Sequence, residues 1–343
     1  MNQKNIRISL LLFFVLITLP TFLNNLRKEE VNQGEKTYTI RIANPSAPSD
    51  ASTLGYQKFC DIVQTLSKGK IKVLLFSNAI LGSDRAGMEA AQQGLIEVAS
   101  SSSPNMASFS TSFMALDLPY ITERKYQENL YHDLDNGLLG KEFKKIAESI
   151  NLVPIMFGEY GYRNFASTKR PIKSPQSLIN LNIRTTDSPV EIKVAEELKM
   201  IPTPIAWGEA YIALQQGAVD GESNTYSLLY NSKHGEVLKY FIESEHNYSL
   251  NFLMMNKDYF YSLPQDLQDI VIESGRQAVI YERKLMAEQQ KIAREEFIKM
   301  GISIYTPMKK EKDYYKKATR RVWEEFSDKI PSRIIQLIQA TQT

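Results

Sequence analysis

A unit of helix, glycine and strand occurs twice in this chain, and that repetition restricts the fold more than any other feature of the sequence. Glu89-Ala90-Ala91-Gln92-Gln93-Gly94-Leu95-Ile96-Glu97 matches Ile212-Ala213-Leu214-Gln215-Gln216-Gly217-Ala218-Val219-Asp220 in residue class at most positions. Each copy predicts a helix stopped by a glycine in the left-handed conformation and then a short buried strand. A polar loop is expected next, Ser100-Ser101-Ser102-Ser103 in the first copy and Glu222-Ser223-Asn224 in the second. Two units that each present a polar loop at the C-terminal end of a strand predict two α/β domains facing one another across a cleft.

The second copy lies in a stretch, residues 161–224, that sets polar side chains at the ends of regular elements. Leu181-Asn182-Ile183-Arg184 alternates as a short strand. Ser188-Pro189-Val190-Glu191 starts a helix: serine caps it, proline suits the first turn, and glutamate at the third position reaches back to the cap. Arg184 thus sits in a strand-to-helix crevice, where free N–H groups and the helix dipole favour an anion. Its guanidinium can hold a carboxylate through two parallel hydrogen bonds, which lysine cannot do. The competing reading is a strand-end arginine in a surface salt bridge, a common and weak pairing. Arg163, which follows the apolar 152–157 strand and Tyr160-Gly161-Tyr162, stands at another strand's mouth, and on its own a structural role is the simpler reading. Trp207 closes the rigid extended segment that begins at Pro202 and leads into a helix over 208–216; it is either a core anchor or a flat wall against a ligand. Asn224 both donates and accepts, which suits a carboxylate or hydroxyl. The alternative for it is a turn residue bonded to its own backbone.

These residues occur in order with Leu81-Gly82-Ser83-Asp84-Arg85, Asp117-Leu118-Pro119-Tyr120, Arg170-Pro171-Ile172-Lys173-Ser174-Pro175, Trp207-Gly208-Glu209 and Val219-Asp220-Gly221. Over residues 38–330 the chain therefore resembles the DctP-like substrate-binding proteins of tripartite ATP-independent periplasmic (TRAP) transporters. The resemblance implies an α/β, two-domain periplasmic-binding-protein fold, with the ligand cleft between the domains and a long helix linking them. It also implies that Arg184 pairs with a ligand carboxylate, that Arg163 and Asn224 hold the same ligand, that Trp207 takes the aromatic position and that Asp84 takes the acidic one. Ser223 stands where many members have glutamate, and Ser102 where sialate-binding members have an acidic residue. Both departures bear on which acid is bound.

At 343 residues, 43% hydrophobic and 23% charged, the chain is long enough for two globular domains, and a formal charge of +2 supplies no basic face for nucleic acid. Residues 1–23 read as a secretory signal, with Lys4 and Arg7 ahead of an apolar run, either cleaved or kept as an anchor. The expected location is the periplasm, free or tethered to the inner membrane. Residues 24–36 read as a disordered lead. Domain I is expected over 37–160 plus about 250–285, and domain II over 161–249 plus about 286–343. Residues 104–113 show no period and receive no assignment. Residues 240–242 and 248–255 read as strands returning to the first domain. Ser262-Leu263-Pro264-Gln265 reads as a capping box for a helix reaching Met300, long enough that it crosses both domains or bends near Ser274-Gly275.

Catalytic parts are hard to find. His132, His234 and His246 lie in unrelated contexts, so that no serine or cysteine has an obvious base beside it, and no metal or phosphate-binding motif is present. No cofactor is expected. The reading is a monomeric extracytoplasmic receptor, not an enzyme, that closes by a hinge on a small organic acid: a C4-dicarboxylate, a sugar acid or a keto acid. The resemblance implies delivery to TRAP membrane permease subunits. A periplasmic protein that signals ligand occupancy to a membrane sensor would use the same cleft, and a periplasmic enzyme could share the fold.

Overall fold

The computed structural model describes residues 36–343; the signal or anchor expected over 1–23, and all of the expected lead except Lys36, lie outside the described residues. Thr39–Thr343 form one compact unit. Its strands in chain order are β1 (Tyr38–Ala43), β2 (Ile71–Phe76), β3 (Val98–Ser102), β4 (Leu152–Tyr162), β5 (Asn164–Ser167), β6 (Asn182–Thr185), β7 (Ile201–Pro204), β8 (Gly221–Asn224), β9 (Tyr240–Ile242), β10 (Tyr248–Asn256) and β11 (Ser303–Tyr305). The helices are α1 (Ala51–Leu66), α2 (Asp84–Gln92), α3 (Gln127–Asn136), α4 (Leu138–Ser149), α5 (Pro189–Glu197), α6 (Trp207–Gln215), α7 (Tyr226–Asn231), α8 (Lys257–Ser262), α9 (Gln265–Lys299), α10 (Lys309–Ala318), α11 (Arg320–Phe326) and α12 (Ser332–Ala340).

The strands form two sheets, ordered β2-β1-β3-β10-β4 and β11-β9-β5-β8-β6-β7. Strand β10 is buried along its whole length and lies antiparallel to β3 on one side and to β4 on the other. The segment 240–242, expected to return to the first domain, is instead β9 of the second sheet, where β11 pairs with it in parallel. Residues 104–113 and their neighbours wind into two short 3-10 helices, Pro104–Ser108 and Thr111–Asp117. The second drives Phe113 between Phe143 and Phe252, with ring centroids 5.7 and 5.2 Å away.

The twofold unit is present in the backbone. Gly94 and Gly217 take φ of 74° and 72°, and in each copy the next N–H closes the helix end, Leu95 onto Ala90 O and Ala218 onto Ala213 O, both at 2.9 Å. The strands start later than expected, because the residues after each glycine complete this reversal before pairing begins at Val98 and Gly221. The polar residues read as loops are thus the strands themselves. They are buried, and they find partners inside: Ser100 Oγ donates to Asn44 Oδ1 at 3.0 Å.

Helix α9 runs unbroken for 35 residues, about 50 Å at 1.5 Å per residue. It packs on α1 and β4 and, further along, on α7. It passes Ser274 and Gly275 without interruption; a Cβ at Gly275 would come 2.2 Å from the Ile155 carbonyl oxygen, so a glycine is what lets the helix lie on the β4 backbone. The expected capping box does not form. Ser262 ends α8, its hydroxyl donating to Tyr259 O at 2.7 Å, and Pro264 precedes α9 without a side-chain cap. Among the described residues no helix is long and apolar enough to cross a membrane.

Candidate functional site

Between the two sheets lies a cleft of about 340 Å³, open solvent at its mouth included, lined by Asp84, Ser102, Arg163, Arg184, Trp207 and Asn224 together with Pro45, Ser46, Asn105, Tyr160, Thr186 and Leu228. All six residues singled out in the sequence therefore meet in one place. They arrive from separate elements: Asp84 opens α2, Ser102 ends β3, Arg163 links β4 to β5, Arg184 is on β6, Trp207 opens α6 and Asn224 ends β8. The others carry no motif that a single sequence reveals. Ser46 and Tyr160, for instance, share a hydrogen bond of 3.0 Å across a sequence separation of 114 residues.

Arg184 is 2% exposed. Its Nε donates to the Ile205 carbonyl at 2.8 Å, and among the described residues neither terminal nitrogen has a hydrogen-bond partner. The guanidinium lies over the Trp207 ring, 5.7 Å from the centroid, within cation–π range. Burial pulls its pKa below the usual arginine value, Glu222 pushes it back up, and the neighbouring charge of Arg163 lowers it again. An anion entering here meets a desolvated cation with a free fork.

Arg163 is engaged. Its guanidinium donates to Ser223 Oγ at 3.3 Å and to the Ser223 carbonyl, and its Nη2 stands 3.2 Å from Glu191 Oε1, an ion pair of which both side chains are buried. That contact is off-line for a hydrogen bond, and Oε1 is otherwise unpartnered. The helix start behaves differently from the expected capping box. Ser188 does cap α5, accepting from Glu191 N at 3.5 Å, but the Glu191 carboxylate turns to Thr186, receiving its N–H at 3.0 Å and its hydroxyl at 2.8 Å. Ser188 Oγ in turn donates to Asp117 Oδ2 at 2.8 Å. The α5 N-terminus thus serves internal carboxylates, and only Thr186 of this turn lines the cavity.

Opposite the arginines, Asp84 Oδ1 accepts the Ser102 N–H at 3.3 Å, and Asn105 Nδ2 donates to Ser102 Oγ at 3.0 Å. Burial raises the Asp84 carboxyl above its usual range, against the hydrogen bonds from Asn105 and Ser102 and the charge of Arg184. Asn224 Oδ1 accepts the Thr225 N–H at 2.9 Å. This is the local backbone bond weighed against a ligand role, and the residue lines the cavity as well.

One expectation needs correction. The sequence offers no obvious base beside a serine, yet Ser223 Oγ lies 3.0 Å from His246 Nε2. The pair faces away from the cavity, into a separate pocket lined by Ile183, Thr185 and Glu191. His246 is stacked on Phe165 at 3.9 Å, and its other nitrogen meets the Ser244 hydroxyl at 2.8 Å. Burial, with Arg163 beside it, holds the imidazole well below its ordinary pKa. A nucleophile needs access to substrate as well as a base, and the cavity does not reach Ser223.

A profile of the DctP family, described as bacterial extracellular solute-binding protein family 7, matches residues 42–329. The 2,3-diketo-L-gulonate-binding periplasmic protein YiaO of Escherichia coli is 27% identical over 271 residues, covering 79% of this chain and 81% of its own. A TRAP periplasmic solute-binding protein of Sulfurospirillum deleyianum, solved with bound succinate, superposes with a TM-score of 0.82 at 28% identity, covering 89% of this chain and 99% of that one. The sugar acid binding protein DctPAm of Advenella mimigardefordensis, solved with galactonate, gives 0.85 at 23% identity over 90% and 98% of the two chains.

Proposed function

Because the chain belongs to the DctP family of bacterial extracellular solute-binding proteins, we propose that its cavity takes a small polyhydroxylated acid, a sugar acid or its keto form, and releases it unchanged to TRAP permease subunits. The observation that carries this reading is the free terminal fork of Arg184, buried over Trp207 and facing Asp84 across the cavity. The fork suits a carboxylate. Around it stand hydroxyls and amides from Ser46, Ser102, Asn105, Thr186 and Asn224, with the Asp84 carboxyl among them. That set matches a chain of hydroxyl groups, whereas a second carboxylate at the far end would be repelled by Asp84 in its charged form. Arg163 contributes positive charge and Trp207 a flat apolar surface for the carbon skeleton. The lobes carrying the two sheets close on the acid by a hinge in which β4, β10 and α9 are the connecting elements.

Calorimetric titration with galactonate, glucuronate, galacturonate, 2,3-diketogulonate and succinate tests it. The hydroxylated acids should bind more tightly than succinate. A preference for succinate would overturn the hydroxyl assignment, and catalytic conversion of any of these acids, followed by mass spectrometry, would make the protein an enzyme.

A further inference from the structure

Glu222 and Arg184 are opposite one another in the register of the parallel strands β8 and β6. Both are buried, at 0% and 2% exposure, and neighbours in register present their side chains to one face of a sheet. A guanidinium and a carboxylate so placed form a bidentate pair readily, and a low dielectric strengthens it. Here they do not pair. Glu222 Oε1 is instead 2.5 Å from His234 Nδ1, its Oε2 has no partner, and Arg184 turns its Nε to the Ile205 carbonyl.

His234 is held firmly enough to impose this. Its ring stacks on Trp207, centroids 4.7 Å apart and planes 20° from parallel, and Tyr211 packs on it at 5.7 Å. It opens a short 3-10 turn in which Gly235 lies against Phe297 of α9. The imidazole thus touches both the Trp207 ring and the carboxylate that stands in register with the arginine.

We propose that His234 is a positioning residue: by taking Glu222 it keeps that carboxylate off Arg184 and leaves the arginine's terminal nitrogens for the ligand. The inference rests on the role proposed for Arg184. Without the Nδ1 donor, Glu222 swings to Arg184, and as a tethered competitor it excludes the ligand carboxylate at high effective concentration.

The test uses galactonate, glucuronate and succinate as probes against four variants of the full chain. His234→Phe keeps a ring on Trp207 and removes the donor, with His234→Leu as the substitute should it not fold. His234→Asn keeps a donor near the Nδ1 position, and His234→Phe/Glu222→Gln also removes the competitor. Whichever probes bind the wild type should bind His234→Phe at least about tenfold more weakly, and should return to within about threefold in His234→Asn and in the double variant. A merely structural histidine would not be rescued by a second substitution. The unliganded crystal structure of His234→Phe, which needs no probe, should show Glu222 paired with Arg184. Wild-type affinity in His234→Phe, a double variant as weak as the single one, or a His234→Phe structure with the two charges still apart would each overturn the inference. Arg184→Ala separates the two levels: if it binds all probes normally the carboxylate role fails, whereas weak binding by Arg184→Ala with normal binding by His234→Phe removes only the role of His234.

Discussion

The two buried arginines of the cavity differ in what they touch. Arg163 is paired within the protein, with Ser223 accepting from its Nε and Nη2 and Glu191 as its counter-ion, while Arg184 has one backbone carbonyl and an aromatic face. A cation already paired contributes charge and rigidity, and one left with a free fork contributes recognition. The contrast extends to the walls: the side holding both arginines also carries Trp207, and the facing side carries Asp84, Ser102 and Asn105. In the function proposed above, the arginine wall takes the carboxylate, and Asp84, Ser102 and Asn105 on the facing side take hydroxyl groups together with Thr186 and Asn224.

Breaking the Arg163–Glu191 pair should give the largest effect. Arg163→Ala leaves Glu191 buried without its cation, and loss of one partner of a buried pair costs about 3–5 kcal/mol; unliganded thermal and urea unfolding should both register it. A stability near wild type would mean that Arg163 is not structural. For Arg184→Ala, the expected loss is in binding: removing one partner of a buried charge contact costs about 2–5 kcal/mol, or about 30-fold to several thousandfold at 1.4 kcal/mol per tenfold. Its unliganded melting should stay close to wild type, and Arg184→Lys should also bind poorly, since a point charge lacks the planar fork. Collapse of the unliganded protein would place Arg184 with Arg163. A smaller change sharpens the contrast between walls. Asp84→Asn should weaken galactonate or glucuronate by about tenfold or more, as expected for a hydrogen bond to a charged group worth about 1.5–3 kcal/mol, and should leave succinate unharmed or improved. Equal losses for both classes would show that Asp84 does not select hydroxyl groups.

The smallest effect concerns pH. Glu282 of α9 is fully buried, its oxygens accepting the Glu159 N–H at 3.1 and 3.2 Å, and burial, with the charge of Glu159 second, raises its carboxyl well above the ordinary value of 4.5. A raised folded pKa gives stability that is full below the unfolded value and is lost as pH climbs through the folded one. Glu282→Gln removes that loss. Its melting temperature relative to wild type should therefore rise by a few degrees between pH 4.5 and pH 8, and a difference constant across that window would count against it.

Much of this was legible in the chain. Strand β1, helices α1 and α2, the break at Asn136-Gly137 and the glycine stops follow from local chemistry, which a single sequence displays. The six cavity residues were legible through ordered motifs. What escaped were placements decided at long range. Val98–Ser102 and Gly221–Asn224 look like loops because Ser, Glu and Asn avoid the interior unless partnered, and partners such as Asn44 and His234 are invisible as partners until the chain is folded. The Ser223–His246 contact and the turn of Glu191 toward Thr186 arise in the same way.

The strand order of the first sheet sets a timetable. Strand β10, made of residues 248–256, lies between β3 and β4, which end at Ser102 and Tyr162. A chain emerging from its N-terminus cannot complete that sheet until nearly all of the second sheet has been synthesised, and until then β3 and β4 have no shared neighbour to pair with. Long-range pairings of this kind slow folding and leave strand edges exposed meanwhile. The first sheet therefore waits for residues 248–256, by which point five of the six strands of the second sheet, all but β11, are already present in the chain.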